Sequence, residues 1–162
     1  MKILLAVDGS QCSDAAVEGI ARRPWPQGSE IKVLTAYELP LPPTPEAWAI
    51  PPVYFEELDR AASDQARSVL ERAVSRLKST MGSEANITAA FAQGSPRSVI
   101  LDEAERRGAD LVVVGSHGYG AWQRFLLGSV SQAVVSHAKC SVEVVRCQKG
   151  HEPLVKDQGL RK

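Results

Sequence analysis

The sequence carries no net charge and no long hydrophobic run, and each absence excludes a class of protein. It has 19 lysines and arginines against 19 aspartates and glutamates, so its formal net charge at pH 7 is zero. A domain that binds nucleic acid through bulk charge is normally basic, which argues against a nucleic-acid partner. No stretch reaches the roughly 18 apolar residues that a membrane-spanning helix needs, so we expect no membrane partner either.

Cysteine is scarce, and the three that occur are Cys12, Cys140 and Cys147. An odd count without a CxxC pair argues against a disulfide framework and against a zinc site. We therefore expect thiols that are buried or without a role, in a reducing compartment. The opening sequence MKILLAVDGS has an apolar run too short for the core of a signal peptide and lacks a small-residue cleavage site. Together these features predict a cytoplasmic protein.

The motifs of several enzyme classes are also missing. The sequence contains no GxxxxGK(S/T), which excludes a Walker-type NTPase, and no GxGxxG after the first predicted strand, which disfavours a dinucleotide-binding Rossmann domain. A GxSxG nucleophile elbow and an HExxH zinc motif are absent as well. His137 has no partner at ligand spacing, so we expect no metal site there.

Short apolar runs are present and predict five strands. Residues 2–7, 31–37 and 111–114 are nearly continuous in Ile, Leu, Val and Ala, as expected for strands covered on both faces. Residues 142–145 form a similar but interrupted run. Residues 86–91 alternate more between apolar and polar types, which predicts an edge or near-edge strand.

Helical patterns lie between these strands. Ser10 or Ser13 is the expected N-cap of the first helix, and apolar residues at spacings of three and four predict a long second helix over 53–81. A third is predicted over 95–108, with Ser-Pro at its start and Gly at its end, and a fourth begins near Gly128. This alternation predicts a single α/β domain with an open parallel sheet and helices on both faces.

Two segments fall outside this pattern. Residues 39–52, LPLPPTPEAWAIPP, are dense in proline and predict an extended crossover loop, in which Trp48 is a candidate lid or contact surface. A ligand for a proline-recognition domain is the alternative. Residues 148–162 are polar and unpatterned, so we place the domain at 1–147 and expect a flexible tail after it.

The loop over residues 115–129 is the candidate site, because ligands of open α/β sheets collect at the carboxyl ends of the strands. It is rich in glycine and ends where the last helix begins. A helix N-terminus presents backbone N–H groups and the positive end of a dipole, which together bind anions. Backbone amides of Gly118, Gly128, Ser129 and Val130 are therefore predicted to hold a triphosphate.

A family resemblance supports this interpretation. The spacing Gly115-x2-Gly118-x9-Gly128-Ser129 resembles the nucleotide-binding signature of ATP-binding universal stress proteins. The segments ILLAVDGS, GSPRSVI, ADLVVVGSHG and LLGSVSQAVV are similar to that family and occur in the same order. The resemblance covers about residues 1–147. It implies a Rossmann-like sheet of order 3-2-1-4-5, similar to the adenine nucleotide alpha hydrolases, with the nucleotide between the first and fourth strands.

The resemblance also implies roles for individual residues. Asp8 faces the ribose or, through water, a Mg²⁺ on the phosphates, and backbone groups of Ala36 meet the adenine edge. The expected cofactor is ATP, or AMP or ADP, with Mg²⁺. The nucleotide-binding residues implied in this way are Asp8, Ala36, Val114, Gly115, His117, Gly118, Gly128, Ser129 and Val130.

Plainer interpretations stay open for several of these residues. Asp8 can be an Asx-turn residue before a glycine, and Ser129 can be only an N-cap. His117 can be a solvated loop residue. Arg124 can reach phosphate, but a surface position is the simpler interpretation, and Trp122 is expected to pack within the loop.

The function implied is that of a nucleotide-responsive stress or signalling module. We find no obvious general base for a γ-phosphate, so we expect no catalytic residue and slow or absent hydrolysis. A slow ATPase or autophosphorylating protein and a nucleotide-free interaction dimer are the alternatives. Members of this family pair through the fifth strand, which implies a homodimer here, although Glu143 on that edge discourages pairing unless it points to solvent.

Overall fold

Five strands and four helices alternate along the described part of the chain. The structure is a computed structural model that describes residues 1–39, 52–82, 84–118 and 127–147. Its elements in chain order are β1 (Lys2–Ala6), α1 (Gln11–Arg22), β2 (Glu30–Tyr37), α2 (Pro52–Met81), β3 (Asn86–Gln93), α3 (Pro96–Arg107), β4 (Leu111–Gly115), α4 (Ser129–His137) and β5 (Ser141–Val145). Of the predicted proline-rich loop 39–52, residues 40–51, including Trp48, lie outside the described residues, and Pro52 is already the first residue of α2. The predicted tail 148–162 also lies outside them.

The five strands form one parallel sheet in the order β3-β2-β1-β4-β5. In its register Leu5 of β1 pairs with Val33 of β2 on one side and with Val113 of β4 on the other. The expected order is confirmed, and β3 lies at an edge as its alternating sequence predicts. The chain moves outward from β1 in one direction and then returns to its other side, so β1 and β4 form the switch point of the sheet.

Helices cover both faces of this sheet, and each face has its own core. Leu5, Ile20 and Leu77 pack between the sheet and α1 and α2. Leu4 and Val134 belong to the second core, between the sheet and α3 and α4. Because successive side chains of a strand point to opposite faces, a central strand must be apolar at every position. This is why the nearly continuous apolar runs identified the central strands.

The helix ends follow the predicted signals, with one correction. Ser10 is the N-cap of α1, and its side chain accepts a hydrogen bond from the Ser13 amide at 3.3 Å. Gly108 ends α3 in the left-handed conformation with φ of 61°. The N-cap of α4 is Gly128, and Ser129 is the first residue of the helix. The interpretation of Ser129 as only an N-cap is therefore wrong, and its hydroxyl is not needed to cap the helix.

The expectation of three cysteines without a structural role is wrong for two of them. Cys12 and Cys147 form a disulfide, with their Cα atoms 4.5 Å apart, whereas Cys140 is free. Cys12 lies in the first turn of α1, and Cys147 follows β5. The two are 135 residues apart in sequence, so no local spacing pattern predicts that they pair. The parallel sheet brings them together by placing the end of β5 beside the start of α1.

Glu143 of β5 forms an ion pair with Arg23. It is therefore not an unpaired charge at the sheet edge, and it does not point only to solvent. The Arg23 guanidinium donates two hydrogen bonds to its carboxylate, at 2.6 and 2.7 Å. These bonds from Arg23 hold the pKa of Glu143 below its ordinary value, against the opposing effect of burial. The charge that we expected to discourage pairing at this edge is thus neutralised within the chain, and the homodimer itself stays a prediction.

The end of β4 packs tightly against the first turn of α1. A Cβ on Gly115 would lie 2.8 Å from the backbone carbon of Cys12 and 2.9 Å from the Ser13 amide nitrogen. Both are main-chain atoms of a helix and cannot move independently of it. Only glycine fits at this position, for reasons of space.

We expect Gly115→Ala to lower the free energy of unfolding by about 1–3 kcal/mol, the usual cost of overpacking. Gly19→Ala is the matched control, since a Cβ there meets nothing within 4 Å. Within α1 that change should raise stability by up to about 1 kcal/mol. Urea unfolding followed by circular dichroism measures both. An unfolding midpoint of Gly115→Ala equal to that of the wild type would contradict the packing described.

Glu143→Gln should lower the free energy of unfolding at pH 7 by less than about 1 kcal/mol, because the pair is partly exposed and screened. The folded-state pKa of Glu143 lies below its ordinary value of 4.5, so its stabilisation is complete above that pH. The difference from wild type should vanish as the pH falls through the lowered pKa. Urea unfolding between pH 7 and pH 3 tests this. Glu105→Gln is the control, since its pair with Lys139 is exposed on both sides, and a pH-independent difference at Glu143 would count against the pairing.

Candidate functional site

The carboxyl ends of β1, β2 and β4 open onto a cavity of about 270 Å³. It lies at the switch point between β1 and β4, where open α/β sheets bind ligands. All nine residues that the resemblance implies are brought together around this cavity. They are Asp8, Ala36, Val114, Gly115, His117, Gly118, Gly128, Ser129 and Val130. Their contact with a nucleotide stays a prediction.

Asp8 follows β1 and is held by the start of α1. Its Oδ1 accepts a hydrogen bond from the Ser10 amide at 2.9 Å, which is an Asx turn, and its own amide donates to Ser13 Oγ at 3.2 Å. The turn interpretation of Asp8 is therefore correct, but it occupies only one carboxylate oxygen. The other, Oδ2, faces Gly118 and lies 2.6 Å from the place where a Cβ on that glycine would stand. The missing side chain of Gly118 thus leaves room for the carboxylate at the cavity.

The loop after β4 is tied to the start of α1. Ser10 Oγ donates to the His117 carbonyl at 3.1 Å, and His117 Nδ1 lies 3.1 Å from Ser116 Oγ. His117 Nε2 is buried and has no hydrogen-bond partner among the described residues. A buried polar atom without a partner is energetically costly. The interpretation of His117 as a fully solvated loop residue is wrong, because that nitrogen is shielded from water.

The start of α4 is fixed by one carbonyl group. The Ser116 carbonyl accepts hydrogen bonds from the Gly128 amide at 2.8 Å and from Ser131 Oγ at 3.0 Å. The Gly128 amide, which we expected to bind phosphate, is therefore already engaged within the chain. A helix leaves its first N–H groups without an intrahelical partner, so the amides of Ser129 and Val130, both at the cavity, remain the candidates to bind an anion.

Apolar side chains also line the cavity, and four of them, Ala6, Val7, Leu34 and Ile100, were not among the predicted site residues. Leu34 and Ile100 line the cavity together with Ala36 and Val114. Leu34 precedes Ala36 by two residues in β2, and side chains two apart share one face of a strand. That spacing was a usable signal. Ile100 comes from α3, and its position depends on how that helix packs, which no local pattern reveals.

The electrostatics of the cavity are unusual for a phosphate site. Asp8 and His117 are the ionisable side chains among the described lining residues, and no lysine or arginine is among them. The same part of the chain holds no cluster of three or more residues suited to ligate a metal. Mg²⁺ often takes only one or two carboxylates and completes its shell with water and substrate phosphates. Asp8 fits that limited role. The described residues do not supply the several ligands that a metal site made by the protein alone would need.

Of the remaining candidates, only His137 lies within the described residues, and it does not line this cavity. Trp122 and Arg124 lie in the segment 119–126, which is outside the described residues. His137 is exposed at the end of α4, with Nδ1 2.9 Å from the Ala133 carbonyl. No metal site was expected there. No helix in the described ranges is long and apolar enough to cross a membrane.

Comparison with known proteins agrees with this architecture. The profile of the universal stress protein family matches residues 1–146. A universal stress protein of Thermus aquaticus is 34% identical over 144 residues, which cover 89% of this chain and 97% of that protein. The universal stress protein UspA from Lactobacillus plantarum superposes with a TM-score of 0.73 at 29% identity, over 90% of this chain and 97% of that one.

A more distant structure shares the fold. A universal stress protein family protein from Arabidopsis thaliana, solved with AMP bound, has a TM-score of 0.66 at 22% identity and covers 91% of this chain and 92% of its own. The parallel sheet, its strand order and the family profile over nearly all of the domain lead to one conclusion. The chain belongs to the universal stress protein family.

Proposed function

We propose that this protein binds ATP, or a related adenine nucleotide, together with Mg²⁺ in the cavity between β1 and β4. The observation that carries the proposal is the convergence of three elements on one cavity. The first turn of α4 supplies amides, Gly118 supplies close backbone approach, and Asp8 supplies one carboxylate. Such a combination suits a phosphorylated ligand better than a neutral one.

The lining of the cavity offers groups suited to both the base and the phosphates of a nucleotide. Leu34, Ile100 and Val114 provide apolar surface for a planar base, and backbone groups near Ala36 can meet its polar edge. The backbone amides of Ser129 and Val130 would face the phosphates. The Arabidopsis protein solved with AMP has the same fold, which supports an adenine nucleotide as the ligand class.

The charge of the cavity supports a requirement for Mg²⁺. A polyphosphate brings several negative charges next to Asp8, and the described lining offers no cationic side chain to offset them. Two like charges close together and partly buried repel each other by several kcal/mol. For unit charges 4 Å apart the repulsion is about 4 kcal/mol. A divalent cation between the carboxylate and the phosphates converts that repulsion into attraction. The Asp8 carboxylate would hold the ion through water, and the ion would neutralise phosphate charge.

The small number of ionisable side chains at the cavity favours a binding module over an efficient enzyme. Phosphoryl transfer needs a positioned nucleophile and compensating cations. Asp8 and His117 are the ionisable candidates among the described lining residues. We propose that nucleotide occupancy is the signal, read by partners in the cytoplasm through the loop after β4 or through a homodimer formed along β5. Slow hydrolysis or autophosphorylation is the rival function.

Identification of the resident ligand tests the ligand class. The protein is purified, denatured and the released small molecules are separated by chromatography, with AMP, ADP and ATP as standards. Phosphate release from added Mg·ATP is followed over hours in the same preparation. We expect an adenine nucleotide and turnover no faster than about one per minute. A protein that arrives empty and shows no calorimetric response to Mg·ATP would overturn the proposal.

Ser129→Ala should weaken Mg·ATP binding by about tenfold, since a hydrogen bond to a charged group is worth roughly 1.5 kcal/mol or more. Ser136→Ala is the matched control, because Ser136 is exposed later on the same helix. Gly118→Ala should weaken binding by a similar factor, because its new Cβ displaces the Asp8 carboxylate rather than main-chain atoms. Titration calorimetry measures all three, and unfolding midpoints near wild type confirm the fold. Unchanged affinity in both site variants would place the phosphates elsewhere.

Asp8→Asn should abolish most of the advantage that Mg²⁺ gives to ATP binding. In the wild type we expect at least about tenfold tighter binding with Mg²⁺ than with EDTA, because the ion removes the repulsion between carboxylate and phosphates. The amide of Asn repels phosphate less, so binding in EDTA should improve while binding in Mg²⁺ weakens. Asp64→Asn, an exposed position on α2, serves as control. An equal loss for Asp8→Asn in both conditions would instead assign Asp8 to the ribose.

A further inference from the structure

The disulfide between Cys12 and Cys147 lies close to the cavity, because Cys12 packs against Gly115, one of its lining residues. Cys12 is the second residue of α1 and is only 3% exposed, whereas Cys147 is partly exposed and follows Val145, the last residue of β5, by two positions. The bond between them fixes the end of β5 to the first turn of α1. That turn also holds Asp8 through Ser13. The covalent link therefore joins β5 to α1, whose Ser13 lines the cavity.

Ser116 connects this cysteine pair to the cavity. Its Oγ lies 3.6 Å from Cys12 Sγ and 3.1 Å from His117 Nδ1. Its amide donates to the Val145 carbonyl at 2.8 Å, two residues before Cys147. Its carbonyl is the group that fixes Gly128 and the start of α4. Ser116 thus contacts the disulfide and the end of β5, and it also contacts His117 and Gly128 at the predicted phosphate site.

Close packing of Gly115 against Cys12 also connects the cysteine pair to the cavity. Gly115 lies so close to Cys12 that no Cβ fits between them. A shift of the first turn of α1 is therefore transmitted to the end of β4, and from there to His117 and Gly118. Contacts without free space transmit displacement, because protein interiors are packed at nearly crystalline density.

We propose that Cys12 and Cys147 are a reversible redox pair that regulates nucleotide affinity, with the disulfide form binding more tightly. The inference rests on the proposed function of the cavity. In the disulfide form, the end of β5 and the first turn of α1 are held in the positions that Ser116 needs. In the dithiol form these segments gain freedom, and a ligand must order them on binding, which lowers affinity.

The chemistry requires an oxidant, and a low-molecular-weight disulfide is sufficient. The Cys147 thiolate, the more exposed of the two, attacks one sulfur of the small disulfide. The small disulfide bond breaks, and one small thiolate leaves and takes up a proton. The Cys12 thiolate then attacks Cys147 Sγ of the mixed disulfide and releases the second small thiol. The cysteine pair loses two electrons, and the small disulfide gains them as it becomes two thiols.

The test compares Mg·ATP affinity by calorimetry after treatment with oxidised glutathione or with dithiothreitol. Thiol titration of denatured protein should give three thiols in the reduced form and one, that of Cys140, in the oxidised form. We expect oxidised protein to bind about 3–10-fold tighter. Cys147→Ser should bind like the reduced wild type under both conditions, and Cys140→Ser should keep the full redox response.

Two results overturn the proposal: three thiols after oxidation, or equal affinity in two forms whose thiol counts prove that they differ. If neither form binds nucleotide, the proposed function fails, and a second measurement then tests the coupling alone. Hydrogen exchange of the Ser116 amide, which donates to Val145, should be at least about threefold slower in the oxidised form. Equal exchange in both forms shows that the cysteine pair does not reach the site.

Discussion

The carbonyl oxygen of Ser116 accepts hydrogen bonds from the Gly128 amide and from Ser131 Oγ, and these bonds determine where α4 begins. The first turn of a helix carries its anion-binding capacity, so a shift of one residue in that start would aim other amides at the cavity. The Ser116 amide is in turn held by Val145 at the end of β5. The position of the first amides of α4 thus depends on the edge strand β5 through a single residue, Ser116.

Close approach of main chains is the second constraint, and glycine meets it in two different ways. At Gly115 the neighbours are backbone atoms of α1, so the absent side chain allows strand and helix to pack. At Gly118 the neighbour is the Asp8 carboxylate, so the absent side chain allows a charged group to reach the cavity. Two glycines three residues apart therefore have separate roles, one in packing and one in the geometry of the cavity, although a sequence motif treats them alike.

Local patterns predicted the elements well because they report what each segment buries. Leu4 and Leu5 lie in different cores, and a run such as ILLAV is what a strand between two cores requires. The glycine spacing located the loop and the start of α4 by resemblance to a family. Such patterns could not predict contacts between segments that are distant in sequence. Arg23 and Glu143, for example, are 120 residues apart. Ser116 was missed because its role lies in its main-chain groups, which every residue type possesses.

The bond between Cys12 and Cys147 joins two positions that are 135 residues apart in sequence, so nearly the whole of the family domain lies in one covalent ring. A ring has a topological property that an open chain lacks: one cut does not divide it. A protease that cleaves a single peptide bond anywhere between these cysteines yields two pieces that remain attached to each other. Only a thiol reductant separates them, so a nicked molecule keeps both sides of its sheet together for as long as the disulfide survives.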